Sequence, residues 1–378
     1  MEVDKDAAAP AMRDRLMSID ALRGFDMFWI IGGCEIVSGF FKGLMGKVPE
    51  SVAYHLDHPV WIGFSAWDMI MPLFLFIVGA SMPFSFSKRR AMGAVQHATA
   101  AEKNKVYAHV LRRIVILFIL GMIAQGNLLE FNIAKLHLYS NTLQAIASGY
   151  LVAAVLLLNV SIAVQAGAGV AMLVAYWVLM MFVPVGGQMG VLEPHSNVAM
   201  VVDTFILGRF RDGSTYTWLL SGLGFAATTL MGVMAGHILK SAKPPRAKLL
   251  WLTGAGVGCL AAGWLWSLHF PMIKHIWTSS MALWAGGWSF LLMAAFYYVI
   301  DVKKYRKWAF GFVIIGMNAI VVYMAVHVFD FRLMGDALVG GLAEHFKGWD
   351  AYMRETTSFI IVWLGLLFMY RQKVFVKI

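Results

Sequence analysis

The stretch "SIDALRGFDMFWIIGGCE", residues 18–35, has the apolar character of a membrane helix, yet it contains four ionisable side chains. They are Asp20, Arg23, Asp26 and Glu35. A charged side chain at the centre of a bilayer costs at least about 2.5–3.5 kcal/mol on insertion scales. Because of that cost, charged residues inside membrane segments usually line a path or a site within a helical bundle.

The composition of the whole chain indicates an integral membrane protein. Of 378 residues, 60% are hydrophobic and 14% are charged, and the formal net charge is +10. Soluble domains carry roughly 25% charged residues. The basic residues lie between apolar stretches, as they do in cytoplasmic loops, and this distribution argues against a nucleic-acid-binding protein.

Ten stretches approach the length of about 20 apolar residues that a spanning helix needs. The sequence therefore predicts an all-α, polytopic membrane protein of about ten transmembrane helices. We expect one transmembrane domain over 18–372, preceded by a cytoplasmic segment 1–17 and followed by a cytoplasmic tail 373–378. The predicted spans are about 18–41, 60–87, 106–126, 141–160, 162–184, 217–240, 247–268, 276–300, 308–328 and 356–372.

The basic residues of the loops predict the orientation. With the N-terminus inside, the cytoplasmic segments hold 19 Lys and Arg residues and the outer loops hold 9. This bias favours both termini in the cytoplasm. It places residues 42–59 and 185–216 outside. Two cysteines, Cys34 and Cys259, lie in apolar stretches and are expected to be free thiols.

Two glycine-rich stretches predict helix–helix contacts. "GVMAG" at 232–236 and "GAGVG" at 254–258 both contain the GxxxG spacing. In apolar helices this spacing is typical of close packing between helix backbones. We expect both pairs of glycines to lie at such contacts.

The charges of the first span form one cluster in sequence. Asp20, Arg23 and Asp26 are spaced three residues apart, so neighbouring members can meet on one face of a helix. We expect both carboxylates to neutralise Arg23, either to fix helix packing or to line a polar path. Glu35 lies about 13 Å from Asp26 along the helix axis, so its charge needs a separate explanation.

A second polar group follows in "YHLDHPVWIGFSAWDMIMPLFLF", residues 54–76. Two histidines and an aspartate lie within four residues at its start, which is a weak metal-site signal, and no metal is expected. A histidine such as His58 suits acid–base or nucleophilic work at neutral pH, although a solvated loop histidine is the alternative. Asp68 lies four residues before Pro72, which frees a backbone carbonyl at that level.

A third polar group lies in "IGMNAIVVYMAVHVFDF", residues 315–331. Asn318 and His327 interrupt an otherwise apolar helix and lie at different depths. Asn318 would either bridge helices through hydrogen bonds or contact a ligand. His327 is expected near the outer end.

Several of these stretches resemble the membrane region of heparan-α-glucosaminide N-acetyltransferase and its bacterial homologues. In the second of them, His58, Trp61, Gly63, Asp68 and Pro72 all have the family's spacing. The matching stretches are "SIDALRGFDMFWI", "HPVWIGFSAWDMIMP" at 58–72, "LQAIASGYLVA" at 143–153, "LMGVMAGHIL" at 230–239 and "GMNAIVVYMAVHVF" at 316–329.

In that family an acetyl group passes from cytosolic acetyl-CoA to an amino sugar on the far side of the membrane. The resemblance implies that His58 is the acetyl acceptor or the general base, and that Asp68 orients or polarises the site. It implies acetyl-CoA as co-substrate. The residues it implies in substrate or cofactor binding are Asp20, Arg23, Asp26, Trp61, Gln144, Asn318 and His327.

The resemblance also implies a place in the bacterial cytoplasmic membrane. The partners would be the lipid bilayer and a small-molecule or glycan amine acceptor, and a homodimer is left open. Two other functions remain open at this point. A transporter of amino sugars or related solutes fits the buried charges and glycine-rich helices equally well, although the chain shows no matched halves. The third is a non-catalytic membrane partner descended from an enzyme.

Overall fold

A computed structural model describes residues 16–89 and 100–376, and within these residues the protein is helical throughout, with no β-sheet. The helices are α1 Met17–Phe28, α2 Cys34–Met45, α3 Glu50–Leu56, α4 Ile70–Arg89, α5 Ala100–Gln125, α6 Thr142–Asn159, α7 Ile162–Phe182, α8 Val198–Leu207, α9 Gly222–Lys240, α10 Pro245–Ser267, α11 Ser279–Phe296, α12 Phe310–Met317, α13 Ala319–Val328, α14 Phe331–Ala343 and α15 Asp350–Arg371.

Eight helical segments of the described chain are long and apolar enough to cross a membrane, and the bent pair α12–α13 makes nine if it is one span. They correspond to the first nine predicted spans, so the prediction of an all-α polytopic membrane protein is confirmed. The tenth prediction coincides with α15, a 22-residue helix whose first turns carry Asp350, Arg354 and Glu355. Of the predicted N-terminal segment only Leu16 and Met17 are described, and the last two residues of the predicted tail also lie outside the described part.

The helices run between two ends of the bundle. At the first, called the terminal end, α1 begins beside the end of α11, where Ser18 N–H donates to Asp301 Oδ2 at 3.2 Å. At the opposite end, called the His58 end, the loop before α4 meets the loop before α11. There Gly63 N–H donates to the Met272 carbonyl at 2.9 Å. Loops of high sequence separation are therefore bonded to each other around His58.

The second predicted span starts later than the sequence suggested. The prediction placed its start near residue 60, but the segment before Trp67 is a loop and α4 begins at Ile70. The cause is local backbone geometry: Gly63 has φ of +140°, a conformation that side-chain-bearing residues rarely adopt. His58 therefore lies in this loop and not in α4.

Close packing through glycine is confirmed for one of the two predicted pairs. A side chain at Gly232 would collide with the Phe76 backbone, and one at Gly236 would collide with Ala80, so α9 lies directly on α4. For Gly254 and Gly258 the prediction was wrong, because nothing lies near either position within the described chain. On α10 the contact with α11 is instead made by Gly256, between those two positions.

Helix α1 carries its charges into the bundle rather than along its surface. It packs tightly on α12, where Gly24 faces the Phe312 carbonyl and Gly316 faces the Asp20 carbonyl. A π-helical turn, Trp29–Gly33, joins α1 to α2, and Gly32 within it has φ of +130°. The kink separates the level of Arg23 from that of Glu35, as the sequence spacing indicated.

Candidate active site at the His58 end

His58 and Asp68 are in direct contact at the His58 end. His58 Nδ1 lies 2.7 Å from Asp68 Oδ1. Asp68 belongs to the 3₁₀ turn Trp67–Met69 that leads into α4, and its side chain is 1% exposed. The His58 side chain is 31% exposed, so a group of another molecule can reach it.

The hydrogen bonds of Asp68 fix which nitrogen of His58 carries the proton. Asp68 Oδ2 accepts from Ser65 N–H at 2.9 Å, which aims Oδ1 at the imidazole. An ionised carboxylate only accepts hydrogen bonds, so we assign the proton to Nδ1 of His58. Nε2 is then the ring nitrogen without a proton. This arrangement suits either a general base or a nucleophile.

Lys274 completes the cluster from the loop between α10 and α11. Its Nζ lies 3.5 Å from Asp68 Oδ1 and 3.3 Å from His58 Nε2. Burial lowers the pKa of Lys274 to about 8, while the nearby Asp68 carboxylate opposes that shift. The amine is therefore largely protonated at pH 7.

Trp61 supports the loop that carries His58. Its Nε1–H donates to the Leu192 carbonyl at 3.0 Å, and its ring meets His275 edge to face at 5.2 Å. This residue, which the resemblance assigned to substrate binding, thus joins the loop before α4 to two other loops. Its position at the same end as His58 agrees with its place three residues after His58 in the sequence.

His275 adds an aromatic surface beside Lys274. Its ring stacks on Tyr216 with centroids 4.1 Å apart and planes 11° apart. Burial lowers the pKa of His275 to about 4, and the charges of Lys274 and His58 act in the same direction. His275 is therefore neutral at pH 7, and it adds no second positive charge beside Lys274.

The loop histidine and aspartate that precede His58 have partners of their own. His55 Nδ1 accepts from Ala66 N–H at 3.3 Å, and Asp57 Oδ1 accepts from His58 N–H at 2.7 Å. Within residues 16–89 and 100–376 no three His, Cys, Asp or Glu side chains converge as metal ligands would. Both residues stabilise the loop around His58.

Arg23 joins three helices in the terminal half of the bundle. It pairs with Asp20 at 3.2 Å, donates to Ser81 Oγ on α4 at 2.9 Å and approaches the Gly316 carbonyl on α12 at 3.5 Å. The predicted pairing with Asp20 is confirmed. These contacts hold the guanidinium against the walls of a cavity.

The predicted pairing of Arg23 with Asp26 is wrong. Asp26 is 1% exposed, and its Oδ2 has no hydrogen-bond partner in the part of the chain that the structure describes. The physical reason is the direction of the Arg23 side chain. Its contacts with Ser81 on α4 and with the Gly316 carbonyl on α12 hold the guanidinium away from Asp26. Spacing along a helix shows which residues can meet, and the packing of neighbouring helices decides which do.

A cavity of about 390 Å³ lies between α1, α4, α5, α6 and the broken helix α12–α13. On α4 its lining extends from Ser85, toward the terminal end, to Phe74, which is about 9 Å along the helix from Asp68. Asp20 and Arg23 both line it. The cavity therefore leads from the terminal end toward the level of the His58 cluster.

Further basic side chains from α5 line the same cavity. His109 and Arg113 join Arg23 there. The Arg113 guanidinium lies 4.5 Å above the Tyr150 ring, and its Nε is buried without a hydrogen-bond partner among the described residues. Asp20 supplies the one carboxylate among the described residues that line the cavity, and such a lining suits an anionic or strongly polar ligand.

Asn318 marks the break between α12 and α13, which are bent by 75°. Its side chain is bonded to the C-terminal tail: Nδ2 donates to the Val374 carbonyl at 3.1 Å and Oδ1 accepts from Val376 N–H at 3.0 Å. Val376 itself lines the cavity. Of the two roles left open for Asn318, the structure shows a packing role, with the tail as its partner.

Gln144 closes the start of α6. Its Oε1 accepts from Asn141 N–H while Asn141 Oδ1 accepts from a helix N–H, which is a capping box. Its Nε2 donates to the Leu138 carbonyl at 2.6 Å. The side chain is fully buried, and its Nε2 also approaches the Phe118 carbonyl on α5 at 3.5 Å. Gln144 therefore stabilises the helix start and its contact with α5 rather than meeting His58.

His327 and Glu35 line a second cavity, of about 580 Å³, at the His58 end. His327 Nδ1–H donates to the Tyr323 carbonyl at 2.8 Å, and Glu35 pairs with Arg332 at 2.7 Å. Trp67 lies in the same wall and its ring is 6.1 Å from that of His58. His327 thus lies at the His58 end, but it does not contact His58.

Sequence analysis missed Lys274, His275 and Arg113. Lys274 contributed only to the count of basic residues in the outer loops, although an adjacent Lys–His pair between two apolar spans is a signal that could have drawn notice. Arg113 lies inside the span predicted over about 106–126. Its place beside Arg23 depends on the packing of α5 against α6.

Comparison with known proteins adds no further identification. No protein-family model matches the chain, and a search of curated proteins returned no match.

Proposed function

We propose that this protein transfers an acetyl group from acetyl-CoA, bound from the terminal end, to an amine at the His58 end. The observation that carries the proposal is the His58–Asp68 contact, 2.7 Å long, above a cavity that leads toward it through the bundle. The family resemblance supplies the donor and the class of acceptor, an amino sugar or glycan amine.

The cavity supports the donor part of the proposal. Arg23 and Arg113 supply positive charge for the phosphates of CoA, and a guanidinium binds phosphate through several donors at once. The apolar lining further in, which includes Met27 and Phe74, suits the arm that carries the thioester. Irregular backbone within a membrane is tolerated where it borders a cavity, and Met317 and Ala319, on either side of the break at Asn318, line this one.

The His58 cluster supports the chemical step in either of two ways. As a nucleophile, Nε2 takes the acetyl group, the C–S bond breaks and CoA leaves as the thiolate; the amine then attacks the acetyl-imidazole. As a general base, Nε2 takes a proton from the amine while the nitrogen attacks the thioester directly. In both routes one N–H proton of the amine ends on the CoA thiol.

The orientation and location are part of the same proposal. Acetyl-CoA is cytosolic, so the terminal end, with both termini, would face the cytoplasm and His58 would face outward. The positive-inside bias of the loops supports this orientation. The membrane would be the bacterial cytoplasmic membrane, and the proposal leaves the homodimer open.

A transporter of amino sugars or related solutes is the second candidate. The observation in its favour is the broken helix α12–α13, bent by 75° at Asn318 beside the cavity. Discontinuous helices at mid-membrane cavities are typical of secondary transporters. A transporter would move solute into vesicles without acetyl-CoA and would release no CoA.

The deciding experiment uses purified protein with labelled acetyl-CoA and glucosamine or a panel of other amines. We expect an N-acetyl product and free CoA, and we expect His58→Ala to abolish both while its CoA binding remains. His345→Ala is the matched control, because His345 is exposed on the segment after α14 and its ring bonds only locally, to Gly341. No product with any amine, together with solute uptake that needs no acetyl-CoA, would select the transporter.

A further inference from the structure

The position of Lys274 relative to His58 is not that of an ordinary hydrogen-bond partner. Lys274 Nζ lies 3.4 Å from Nδ1 and 3.3 Å from Nε2 of the same imidazole. A cation at nearly equal distances from both ring nitrogens lies on the lone pair of neither. The lone pair of Nε2 therefore stays available, with a positive charge beside it.

Neutralising Asp68 does not explain this position. Asp68 already accepts from Ser65 N–H and is in contact with His58. A lysine whose only role was to pair with Asp68 would gain nothing from lying against the imidazole. Lys274 is also 9% exposed, and burying an ammonium is costly unless other groups compensate.

We propose that Lys274 is a further catalytic residue, whose ammonium stabilises the negative charge that forms on an acyl oxygen when Nε2 of His58 attacks the carbonyl. This rests on the nucleophilic route of the proposed function. The Nε2 lone pair forms the N–C bond, and the carbonyl π pair moves to oxygen, beside Nζ. When that pair returns, the bond to the leaving group breaks and the leaving group departs with its electrons. A fixed cation at developing charge is a recurring source of rate enhancement.

The charged form that this role needs is present at neutral pH and is lost in mildly alkaline solution. The pKa of Lys274 is lowered to about 8 by burial. The titratable groups around it are Asp68 and His58 from the segment before α4, Tyr216 from the segment before α9, and His275 on its own loop. Of these, Asp68 carries the charge that favours the ammonium.

The test replaces acetyl-CoA by p-nitrophenyl acetate, so it does not depend on CoA binding. The full-length protein in detergent is mixed with the ester, and the burst of p-nitrophenolate is measured. Mass spectrometry detects the acetyl group on His58. We expect Lys274→Met to slow the His58-dependent burst by roughly 10²–10³-fold, the loss seen when an oxyanion donor is removed. Lys135→Met is the matched control, because Lys135 is an exposed lysine of another loop at the same end.

The pH profile separates a catalytic role from a structural one. In the wild type we expect the burst rate to fall as pH rises through about 8. Lys274→Arg keeps the charge at all accessible pH values, so its rate should not fall there. Thermal unfolding of each variant shows whether it is folded, and if Lys274→Met does not fold, the arginine variant still supplies the pH test.

Three results would overturn the proposal. The first is an equal burst rate in the wild type and in Lys274→Met. The second is a burst rate of Lys274→Arg that still falls near pH 8. The third is that the wild type shows no burst, or one that His58→Ala does not remove. None of them depends on turnover with acetyl-CoA. A protein that fails with acetyl-CoA but shows the lysine-dependent burst would lose the proposed function and keep this role for Lys274.

Discussion

Arg23 and Asp26 lie three residues apart on α1, yet Arg23 pairs with Asp20 and Ser81 while Asp26 Oδ2 is buried without a hydrogen-bond partner in the described chain. A charge on Asp26 would have nothing to offset it there. We expect Asp26→Leu to raise the free energy of unfolding by about 1–3 kcal/mol, the usual cost of a buried polar group without a partner, and Asp26→Asn, which keeps a polar group there, to change it little. Thermal unfolding in detergent measures this change.

Asp20→Asn is the matched comparison for that prediction. Asp20 and Arg23 are 7% and 18% exposed, and removing one charge of a buried pair leaves the other uncompensated. We expect this variant to be less stable than the wild type. If Asp26→Asn and Asp20→Asn destabilise the protein equally, Asp26 has a partner that matters and the interpretation of α1 is wrong.

The contrast between these two aspartates shows what the sequence could and could not predict. Hydropathy predicted the helices, and the spacing of His58 and Asp68 in the resembling stretch led to two residues that are indeed in contact. Lys274 reaches them from a loop more than two hundred residues away, and no local spacing predicts such a contact. The predicted pairing of Asp26 with Arg23 was wrong for the same reason, because neighbouring helices decide where Arg23 points.

Asp203 on α8 predicts a pH dependence of stability. It is fully buried and accepts from Trp218 N–H at 2.6 Å and Leu219 N–H at 3.0 Å, yet burial raises its pKa to about 6. A carboxyl whose pKa is higher in the folded than in the unfolded state binds its proton more tightly when folded. Its contribution is therefore complete below about pH 4 and is lost as pH rises to about 6.

The measurement for Asp203 is thermal unfolding between pH 4 and pH 7. We expect the wild type to lose on the order of 2–3 kcal/mol from this group across that range, and Asp203→Asn to lose less. Glu344→Gln is a suitable control, since Glu344 is exposed at the end of α14 and is not among the charges that act on Asp203. An identical pH dependence in the wild type and Asp203→Asn would contradict the prediction.

The C-terminal tail predicts an effect on the cavity. Asn318 is 1% exposed, and its side-chain amide bonds to the backbone of Val374 and Val376. A chain ending at Lys373 would leave this amide without them, at a cost of about 1–3 kcal/mol. It would also remove Val376 from the cavity wall, so under the proposed function we expect tighter binding of CoA.

Thermal unfolding and calorimetric titration with CoA test the truncated chain. Val376→Ala is the control, because it keeps the backbone N–H that bonds to Asn318 and removes only part of the side chain. We expect that variant to keep its stability. Unchanged stability and unchanged CoA affinity in the truncated chain would show that the tail contributes neither to the fold nor to the cavity.

The last prediction concerns orientation, on which transfer across the membrane depends. The bias of basic residues predicts that α3, at the His58 end, faces outward and that the turn between α9 and α10 faces the cytoplasm. Cysteines at Ser51 and Ala242, both exposed positions, report on the two ends. The background lacks Cys34 and Cys259, the two native thiols. In intact cells an impermeant thiol reagent should label Ser51→Cys, while Ala242→Cys should react only after the membrane is opened. The reverse pattern would place His58 in the cytoplasm, beside acetyl-CoA rather than across the membrane from it, and the transmembrane route would then be wrong even if acetyl transfer occurred.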